Sequence, residues 1–225
     1  MKLINADCLE ALQNFEDQSV DYVFTSPPYN IKRSKNNKYN KYEHFDDGID
    51  NYLEWSIQVI DQLLRVTKNH IFWNIQANYY NKKDVFKLIG HYADKIQQNF
   101  IWYKPDGIPS SQKYYVSNFV EYIIGFTNQK YIKSNEIFIT NHLEFKASNG
   151  NQNKQHKAAM NIEVADWFIK NFTQPGETIL DPFLGTGTTG VSAFRNHRNF
   201  IGIEISKEYF DYAQQRIDRE TSVLF

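Results

Sequence analysis

Apolar residues occur along the chain in two patterns that alternate with each other. Short β-branched or aromatic runs predict strands at about 2–4, 20–25, 70–75, 99–103, 120–126, 177–181 and 199–203. Longer segments with a 3.6-residue apolar period predict helices at about 8–14, 50–66, 78–92, 161–172, 188–196 and 206–217. This alternation predicts an α/β fold, with helices covering both faces of one sheet.

Two stretches depart from the alternation. Residues 31–48 are polar and basic, and residues 127–157 are rich in Asn, Lys and Gln, with short strand-like pieces around 131–132 and 136–139. Long loops are uncommon inside compact domains unless they bind something or move. No repeat or linker divides the chain, so we expect a single domain over 1–225.

Composition indicates an ordinary globular protein, with 225 residues, 41% of them hydrophobic, and a net charge of −1. Cys8 is the only cysteine, which excludes an internal disulfide and a multi-cysteine metal site, and the six histidines form no zinc-type pair, so no metal is expected. No apolar run approaches a membrane span, and the N-terminal residues lack a signal-peptide core. We therefore expect a cytoplasmic protein of prokaryotic or phage type that does not enter a membrane.

A local basic run lies between residues 31 and 42, where no acidic residue occurs. Such a run is usually a solvated loop, but lysines beside Asn and Tyr can also hold phosphates. The candidate phosphate contacts are Lys32, Arg33, Lys35, Lys38 and Lys41.

A glycine-rich turn follows the predicted strand that ends at Asp181. Residues 185–190 read G-x-G-x-x-G, a helix follows, and the next strand ends in Glu204. Glycines let the backbone approach a ligand closely, and an acidic residue about twenty positions later can accept both ribose hydroxyls. The pattern predicts a site for a cofactor that contains a nucleoside.

The position of this turn narrows the choice of cofactor. Dinucleotide-binding domains usually begin with this unit, whereas here 21 residues follow Glu204 and the rest of the sheet must come from earlier strands. A carboxylate such as Asp181 just before the glycines can hold an ammonium group. These features favour S-adenosylmethionine, which carries an α-amino group, a sulfonium and a ribose.

A second motif closes the strand at 20–25, where the chain reads "TSPPYN". Together with the later "DPFLGTGTTG", it resembles the exocyclic-amino DNA methyltransferases in the β-type order, in which the catalytic motif precedes the cofactor motif. The resemblance covers most of the chain and includes "NADCLEAL", "NHIFWNI", "NFIWYKP" and "NFVEYIIGFTN". It implies a Rossmann-like S-adenosylmethionine-dependent methyltransferase fold with a circularly permuted motif order and a mixed, mostly parallel sheet.

The resemblance identifies Ser26, Pro27, Pro28 and Tyr29 as the catalytic residues. An exocyclic nitrogen is a poor nucleophile because its lone pair is delocalised into the ring. Hydrogen-bond acceptors on its two hydrogens favour the localised form, and Ser26 Oγ with the Pro27 carbonyl would be that pair. The prolines hold the carbonyl rigidly, and Tyr29 would stack on a base flipped out of double-stranded DNA.

The resemblance also implies a cofactor site for S-adenosylmethionine, which leaves as S-adenosylhomocysteine. Asp7 would lie beside the adenine, although it is also in position to cap the helix at 8–14. His156 has no proline after it, which departs from the family pattern and weakens its assignment to the cofactor. The implied cofactor residues are Asp7, Cys8, Asp181, Pro182, Phe183, Gly185, Gly187, Thr188, Thr189, Glu204 and Ile205.

The target base is the least determined expectation. Ser at the first motif position is more typical of family members that methylate cytosine-N4, and Asp or Asn of those that methylate adenine-N6. Cytosine is therefore favoured, with adenine as the alternative. RNA or protein-glutamine methyltransferases usually place the glycines before the catalytic motif, and a non-catalytic nucleotide-binding module is a third class.

Sequence specificity is expected to come from a small target-recognition insertion at about 105–157 and from the DNA-facing loop at 31–48. The small size of the target-recognition insertion implies that the protein reads a short DNA site, forms a homodimer or uses a partner subunit. A cognate restriction endonuclease is one candidate partner. The additional candidate DNA contacts are Asn30, Lys113, Lys130 and Lys133.

Overall fold

The computed structural model describes residues 1–30, 48–107, 114, 116–136, 138–147 and 160–222. Eight strands are found there: β1 (Lys2–Asn5), β2 (Tyr22–Thr25), β3 (His70–Ile75), β4 (Ile96–Tyr103), β5 (Val120–Thr127), β6 (His142–Glu144), β7 (Thr178–Asp181) and β8 (Asn199–Glu204). Six helices are found in the same ranges: α1 (Cys8–Leu12), α2 (Tyr52–Val66), α3 (Lys82–His91), α4 (Ile162–Phe172), α5 (Thr188–Arg195) and α6 (Lys207–Ser222).

The strands form one sheet in the order β1-β8-β7-β2-β3-β5-β4-β6. The pairs among β1, β8, β7, β2 and β3 are parallel, β5 is antiparallel to both β3 and β4, and β6 is parallel to β4. Among the strands of the described residues, β5 is thus the one whose direction is antiparallel to the others. The amino end of β5 therefore lies at the same sheet edge as the carboxyl ends of β2 and β3.

Alternating side chains of the central strands enter two separate cores. In β2, Val23 packs in the core beneath α1, α2 and α3, whereas Phe24 packs in the core beneath α4, α5 and α6. In β7, Leu180 packs in the same core as Val23, and Ile179 packs in the same core as Phe24. Successive strand residues point to opposite faces, so a strand that is buried on both sides must be apolar at nearly every position. The expectation of a mostly parallel α/β sheet with helices on both faces is confirmed.

The predicted elements recur with shifted ends, and each larger shift has a local cause. α3 begins at Lys82 instead of 78, because Asn78 and Asn81 use their side chains in the turn that precedes the helix. α6 runs to Ser222, five residues beyond the predicted end at 217. Its last turns carry Gln214, Arg216 and Asp218 among few apolar residues, so the apolar period fades before the helix ends.

The prediction for the region after β5 was partly wrong. The strand-like pieces around 131–132 and 136–139 are not strands in the described residues, and the strand of this region is β6 at His142–Glu144. β5 and β6 lie within residues 105–157 and are part of the sheet, and the target-recognition role of this region stays a prediction. No helix in the described ranges is long and apolar enough to cross a membrane.

Candidate active site

The segment that follows β2 is held at the carboxyl edge of the sheet by its main-chain carbonyl groups. The Tyr52 hydroxyl donates a 2.7 Å hydrogen bond to the Pro28 carbonyl. Asn78 and Asn81 donate through their Nδ2 atoms to the Tyr29 carbonyl at 3.1 and 2.9 Å. By contrast, none of the residues that the structure describes donates to the Pro27 carbonyl. The segment is therefore anchored on either side of a carbonyl group that keeps its acceptor capacity.

Side chains from four elements of the chain meet around Tyr29. Its hydroxyl lies 2.9 Å from Ser26 Oγ and 2.7 Å from Glu121 Oε2. Asn74 Nδ2 lies 2.8 Å from both Tyr29 Oη and Glu121 Oε2, and Lys104 Nζ is 2.7 Å from Glu121 Oε1. Burial and then the nearby Glu121 carboxylate raise the pKa of the Tyr29 hydroxyl well above its usual value, so the phenol stays neutral. We call these five residues the Tyr29 cluster.

Three members of this cluster were not predicted as site residues. Asn74, Lys104 and Glu121 lie in segments that the sequence identified only as strands or strand ends. Their signal is a polar or charged residue in an otherwise apolar strand, since Glu121 interrupts the run at 120–127 and is nearly buried. Buried charges are rare unless they are paired, so this interruption is informative even without a structure.

The first part of the glycine-rich turn is organised by a buried carboxylate. Asp181 Oδ1 accepts hydrogen bonds from Thr25 Oγ1 at 2.6 Å and from the Phe183 amide at 3.1 Å, and the Thr189 side chain also bonds the carboxyl group. Burial raises the pKa of Asp181 to about 6, although these hydrogen bonds oppose the shift. Pro182 is buried beside it, and the Phe183 ring lies against Trp55 and Trp73.

The second part of the turn is held by Glu204 at the end of β8. Its carboxylate accepts the Gly185 amide at 2.8 Å and the Ser206 amide at 2.9 Å, one on each oxygen. Gly185 and Gly187 have φ values of 51° and 80°, a region that favours glycine. A carboxylate has about four acceptor positions, so that of Glu204 can also receive hydroxyl hydrogens.

An arginine of α6 fastens the turn from outside. Arg216 Nη1 donates to the Thr186 carbonyl at 3.0 Å and to Thr188 Oγ1 at 3.1 Å. Burial lowers the pKa of this guanidinium from its usual value, yet Arg remains a cation at neutral pH. This residue was not predicted, because its position in a polar helix resembles that of any solvated arginine.

The N-terminal segment brings Asp7 and Cys8 to the same edge as Glu204. The Ala6 amide donates to the Glu204 carbonyl at 3.1 Å, and Asp7 Oδ1 accepts the Leu9 amide at 2.8 Å, which makes Asp7 the N-cap of α1. The alternative structural role for Asp7 is thus confirmed, and an additional cofactor contact stays a prediction. Burial raises the pKa of the Cys8 thiol to about 12, so it stays protonated, and Ile205 is half exposed beside Glu204.

The candidate DNA contacts are only partly described. Asn30 is buried with a φ of 51°, and its Oδ1 accepts the Ile49 amide at 3.0 Å, so its side chain joins the two ends of the loop at 31–48. Lys130 and Lys133 lie near the surface beyond β5. No cluster of metal-ligating side chains is found in the described ranges. Candidates that fall outside those ranges are Lys32, Arg33, Lys35, Lys38, Lys41, Lys113 and His156.

Comparison with known proteins agrees with this arrangement. The model of the N6/N4 DNA methylase family matches residues 20–215, which is most of the chain. The chain belongs to this DNA methylase family. It is 27% identical to the type II methyltransferase M.BglII of Bacillus subtilis, over 97% of this chain and 69% of that protein.

Solved structures show the same fold at lower identity. The cytosine-N4-specific PvuII DNA methyltransferase has a TM-score of 0.77 and 22% identity, over 98% of this chain and 90% of that one. A complex of M1.HpyAVI with S-adenosylmethionine has a TM-score of 0.68 and 23% identity, over 96% and 98%. The methylase is therefore an S-adenosylmethionine-dependent enzyme that methylates exocyclic amino groups in DNA.

The residues of the methylase fit this cofactor. The carboxylates of Asp181 and Glu204 end two adjacent strands, β7 and β8, and the glycine-rich turn lies between them. The Asp181 carboxylate suits an ammonium group and the Glu204 carboxylate suits ribose hydroxyls. A Cβ at Gly185 would meet only the Phe183 carbonyl, at 3.8 Å, so this side of the turn is open, whereas Gly187 lies against Ala213 and Ile217 of α6. The cofactor, when bound, supplies a methyl group activated by its sulfonium.

Proposed function

We propose that this enzyme methylates the 4-amino group of cytosine at a specific site in duplex DNA, with Ser26 Oγ and the Pro27 carbonyl as acceptors for the amino hydrogens. The observation that carries the proposal is the 2.6 Å hydrogen bond from Thr25 to Asp181. It ties Thr25, the residue directly before Ser26, to Asp181, which lies four positions before the first glycine of the turn. A base that reaches Ser26 would therefore be next to the methyl donor.

The chemistry assigned to the chain is orientation and lone-pair localisation. The two acceptors draw the amino hydrogens out of the base plane, and the nitrogen lone pair then points at the methyl carbon. The reaction would be a direct displacement: the nitrogen would form a bond to the methyl carbon as the carbon–sulfur bond breaks, and S-adenosylhomocysteine would leave with that electron pair. The nitrogen would then release one proton to water. Most of the acceleration comes from holding the two reactants in line. Cys8, the only cysteine, is protonated and lies on the cofactor side, which fits a reaction without a covalent intermediate.

Duplex DNA buries the target nitrogen, so the base must leave the stack before it can react. Tyr29 would stack on the extruded base, and the hydrogen bonds to its hydroxyl and carbonyl groups would fix the plane of its ring. The phosphate contacts that hold such a DNA are proposed to be Lys32, Arg33, Lys35, Lys38, Lys41 and Lys113, with Lys130 and Lys133 as further contacts.

Cytosine is preferred over adenine because serine at the first motif position is more typical of cytosine-N4 members, and because the similar PvuII enzyme is named as cytosine-N4-specific. Adenine-N6 is the second candidate, since the family includes both activities. The type II names of relatives such as M.BglII favour a companion restriction endonuclease for the same site. A homodimer stays a prediction.

The test is to incubate the protein with duplex DNA and methyl-labelled cofactor, and to identify the modified base by mass spectrometry and its context by methylation-sensitive sequencing. N4-methylcytosine in one short sequence context is expected. Methyladenine as the sole product would contradict the choice of base, and modification spread over all contexts would contradict site specificity.

Two variants test the division of labour within the site. Ser26→Ala should abolish methylation and leave the cofactor dissociation constant nearly unchanged, because it removes only an acceptor for the base. Asp181→Ala should weaken cofactor binding, because it removes the anchor of the glycine-rich turn. Equal loss of cofactor binding in both variants would argue against separate roles.

A further inference from the structure

The directions of the hydrogen bonds in the Tyr29 cluster are determined by one carboxylate. An ionised carboxylate only accepts hydrogen bonds. Glu121 accepts from Lys104 on Oε1 at 2.7 Å, and it faces Tyr29 Oη at 2.7 Å and Asn74 Nδ2 at 2.8 Å on Oε2. The Glu121 and Lys104 side chains are 10% and 12% exposed, so water screens this arrangement weakly. The single hydrogen of the Tyr29 hydroxyl must therefore point at Glu121.

The direction of the hydrogen bond from Tyr29 to Glu121 determines the direction of the hydrogen bond between Ser26 and Tyr29. Ser26 Oγ and Tyr29 Oη are 2.9 Å apart, and from distance alone either could donate. Because the Tyr29 hydrogen is committed to Glu121, Ser26 must donate and Tyr29 must accept. The hydroxyl hydrogen of Ser26 is then directed at Tyr29. Oγ keeps its lone pairs for accepting, one of them toward Asn74 Nδ2 at the long distance of 3.4 Å.

The orientation of Asn74 follows from the same carboxylate. Its amide nitrogen must face Glu121, because the carboxamide oxygen there would repel the carboxylate. Nδ2 accordingly lies 2.8 Å from Tyr29 Oη, so a second donor directs hydrogen toward the Tyr29 oxygen. The buried Asn74 Oδ1 has no partner among the described residues, which agrees with an amide orientation imposed by the charge of Glu121 rather than by Oδ1 itself.

We propose that Glu121 is a positioning residue which, through Tyr29, keeps Ser26 in its acceptor orientation toward the exocyclic amino group. This rests on the proposed acceptor role of Ser26. A serine free to rotate would also present its hydrogen to the amino nitrogen, and a hydrogen bond there would occupy the lone pair that attacks the methyl carbon. Donation to Tyr29 also makes Ser26 Oγ a better acceptor, because consecutive hydrogen bonds polarise one another.

Glu121→Gln is the informative substitution, because glutamine keeps the shape of the side chain but can donate a hydrogen bond to Tyr29 instead of accepting one. Lys104 holds the side-chain oxygen, so the amide nitrogen of the new glutamine faces Tyr29 and donates to it. Tyr29 then donates to Ser26, and Ser26 is free to donate to the base. We expect kcat to fall roughly 10- to 100-fold, with the dissociation constant of S-adenosylmethionine and the KM for DNA changed less than about threefold. Glu16→Gln, the same substitution at an exposed position between α1 and β2, is the matched control and should behave like the wild type.

Tyr29→Phe provides the second measurement, and it keeps the test open if Glu121→Gln folds poorly. Without the hydroxyl, Glu121 loses its direct path to Ser26 and keeps only the longer one through Asn74 Nδ2, which lies 3.4 Å from Ser26 Oγ. Glu121→Gln in the Tyr29→Phe background should therefore lower kcat little further. Independent effects that multiply in the double variant would overturn the proposal, as would a folded Glu121→Gln enzyme with wild-type kcat. An active Ser26→Ala enzyme would remove the proposed function itself, whereas an inactive Ser26→Ala beside a fully active Glu121→Gln would remove only the role of Glu121.

Discussion

Thr25 and Asp181 are 156 positions apart in the chain, yet the hydroxyl of the first donates a 2.6 Å hydrogen bond to the carboxylate of the second. Both residues are buried, and they end the adjacent parallel strands β2 and β7. Within the described residues, this is the direct side-chain link between the segment that carries Ser26 and the glycine-rich turn.

Thr25→Val tests that link with little change in shape. The variant leaves a buried carboxylate with one donor fewer, which should lower the free energy of unfolding by about 1–3 kcal/mol and weaken cofactor binding. Thermal unfolding and cofactor titration measure the two effects. Thr67→Val is the matched control, because the buried Thr67 hydroxyl has no partner among the described residues and its loss should not destabilise the protein. Equal destabilisation by the two variants would show that the hydrogen bond from Thr25 to Asp181 does not itself stabilise the folded protein.

The raised pKa of Asp181 predicts opposite pH dependences for stability and for cofactor binding. Its pKa of about 6 in the folded protein lies above the usual value of 3.8, so the fold favours the protonated form. The resulting contribution to stability is complete below pH 4 and is lost as the pH rises through about 6. Cofactor affinity should change in the other sense, with up to a roughly tenfold gain per pH unit below 6 and a plateau above, because the ionised carboxylate anchors the turn.

Calorimetric titration between pH 5 and pH 8, with unfolding measured without cofactor, checks both trends. Asp181→Asn removes the titrating group and should flatten the two profiles over this range. A variant that keeps the wild-type profiles would assign the pH dependence to another group.

Arg216→Met should loosen the glycine-rich turn while it keeps the apolar stem of the side chain in α6. The donors to the Thr186 carbonyl and to Thr188 Oγ1 are lost, so the cofactor dissociation constant should rise about three- to tenfold. Arg219→Met, an exposed arginine of the same helix, is the control and should leave the dissociation constant unchanged. Isothermal titration with S-adenosylmethionine distinguishes the two, and equal effects would point to a general loss of positive charge.

Replacement of glycine by alanine should have opposite effects on stability at two helical positions, Gly190 and Gly90. A Cβ at Gly190 in α5 would lie 2.8 Å from both Ile217 and Phe200, so Gly190→Ala should destabilise the protein by about 1–3 kcal/mol. A Cβ at Gly90 in α3 meets nothing within 4 Å, so Gly90→Ala should stabilise it by about 0.5–1 kcal/mol. Chemical denaturation measures both, and stabilisation by Gly190→Ala would contradict the tight packing between α5 and α6.

Local pattern was sufficient for most of the fold. β3 and β7 have consecutive apolar residues at their centres, Ile71–Trp73 and Ile179–Leu180, because both of their faces are covered, and the amphipathic period of α2 and α4 is strong. β6 was missed because its three residues, with His142 and Glu144 exposed, carry too little pattern to be distinguished from a loop. The strand-like pieces before it are apolar without being strands, because their side chains Ile132 and Ile139 pack against the core from irregular backbone.

The site was predictable where motifs are contiguous and unpredictable where it depends on pairing between distant strands. Sequence alone indicates Ser26, which follows β2, and Asp181, which ends β7, because each lies at the start of a distinctive turn. Glu121 and Lys104 join the site only because β5 runs antiparallel, which brings its first residues to the edge where β2 ends. Strand direction follows from the whole topology, and no local segment of sequence encodes it.

The central place of β2 also has a consequence for how the chain reaches its native state. β2 must pair with β7, which is synthesised about 155 residues later, so one edge of this apolar strand stays open until the last quarter of the described chain is available. Contacts of such long sequence separation form slowly, and an unpaired apolar edge is a site of aggregation. The strand that precedes Ser26 therefore needs protection in the nascent protein, and expression at low temperature or with a chaperone should raise the soluble yield.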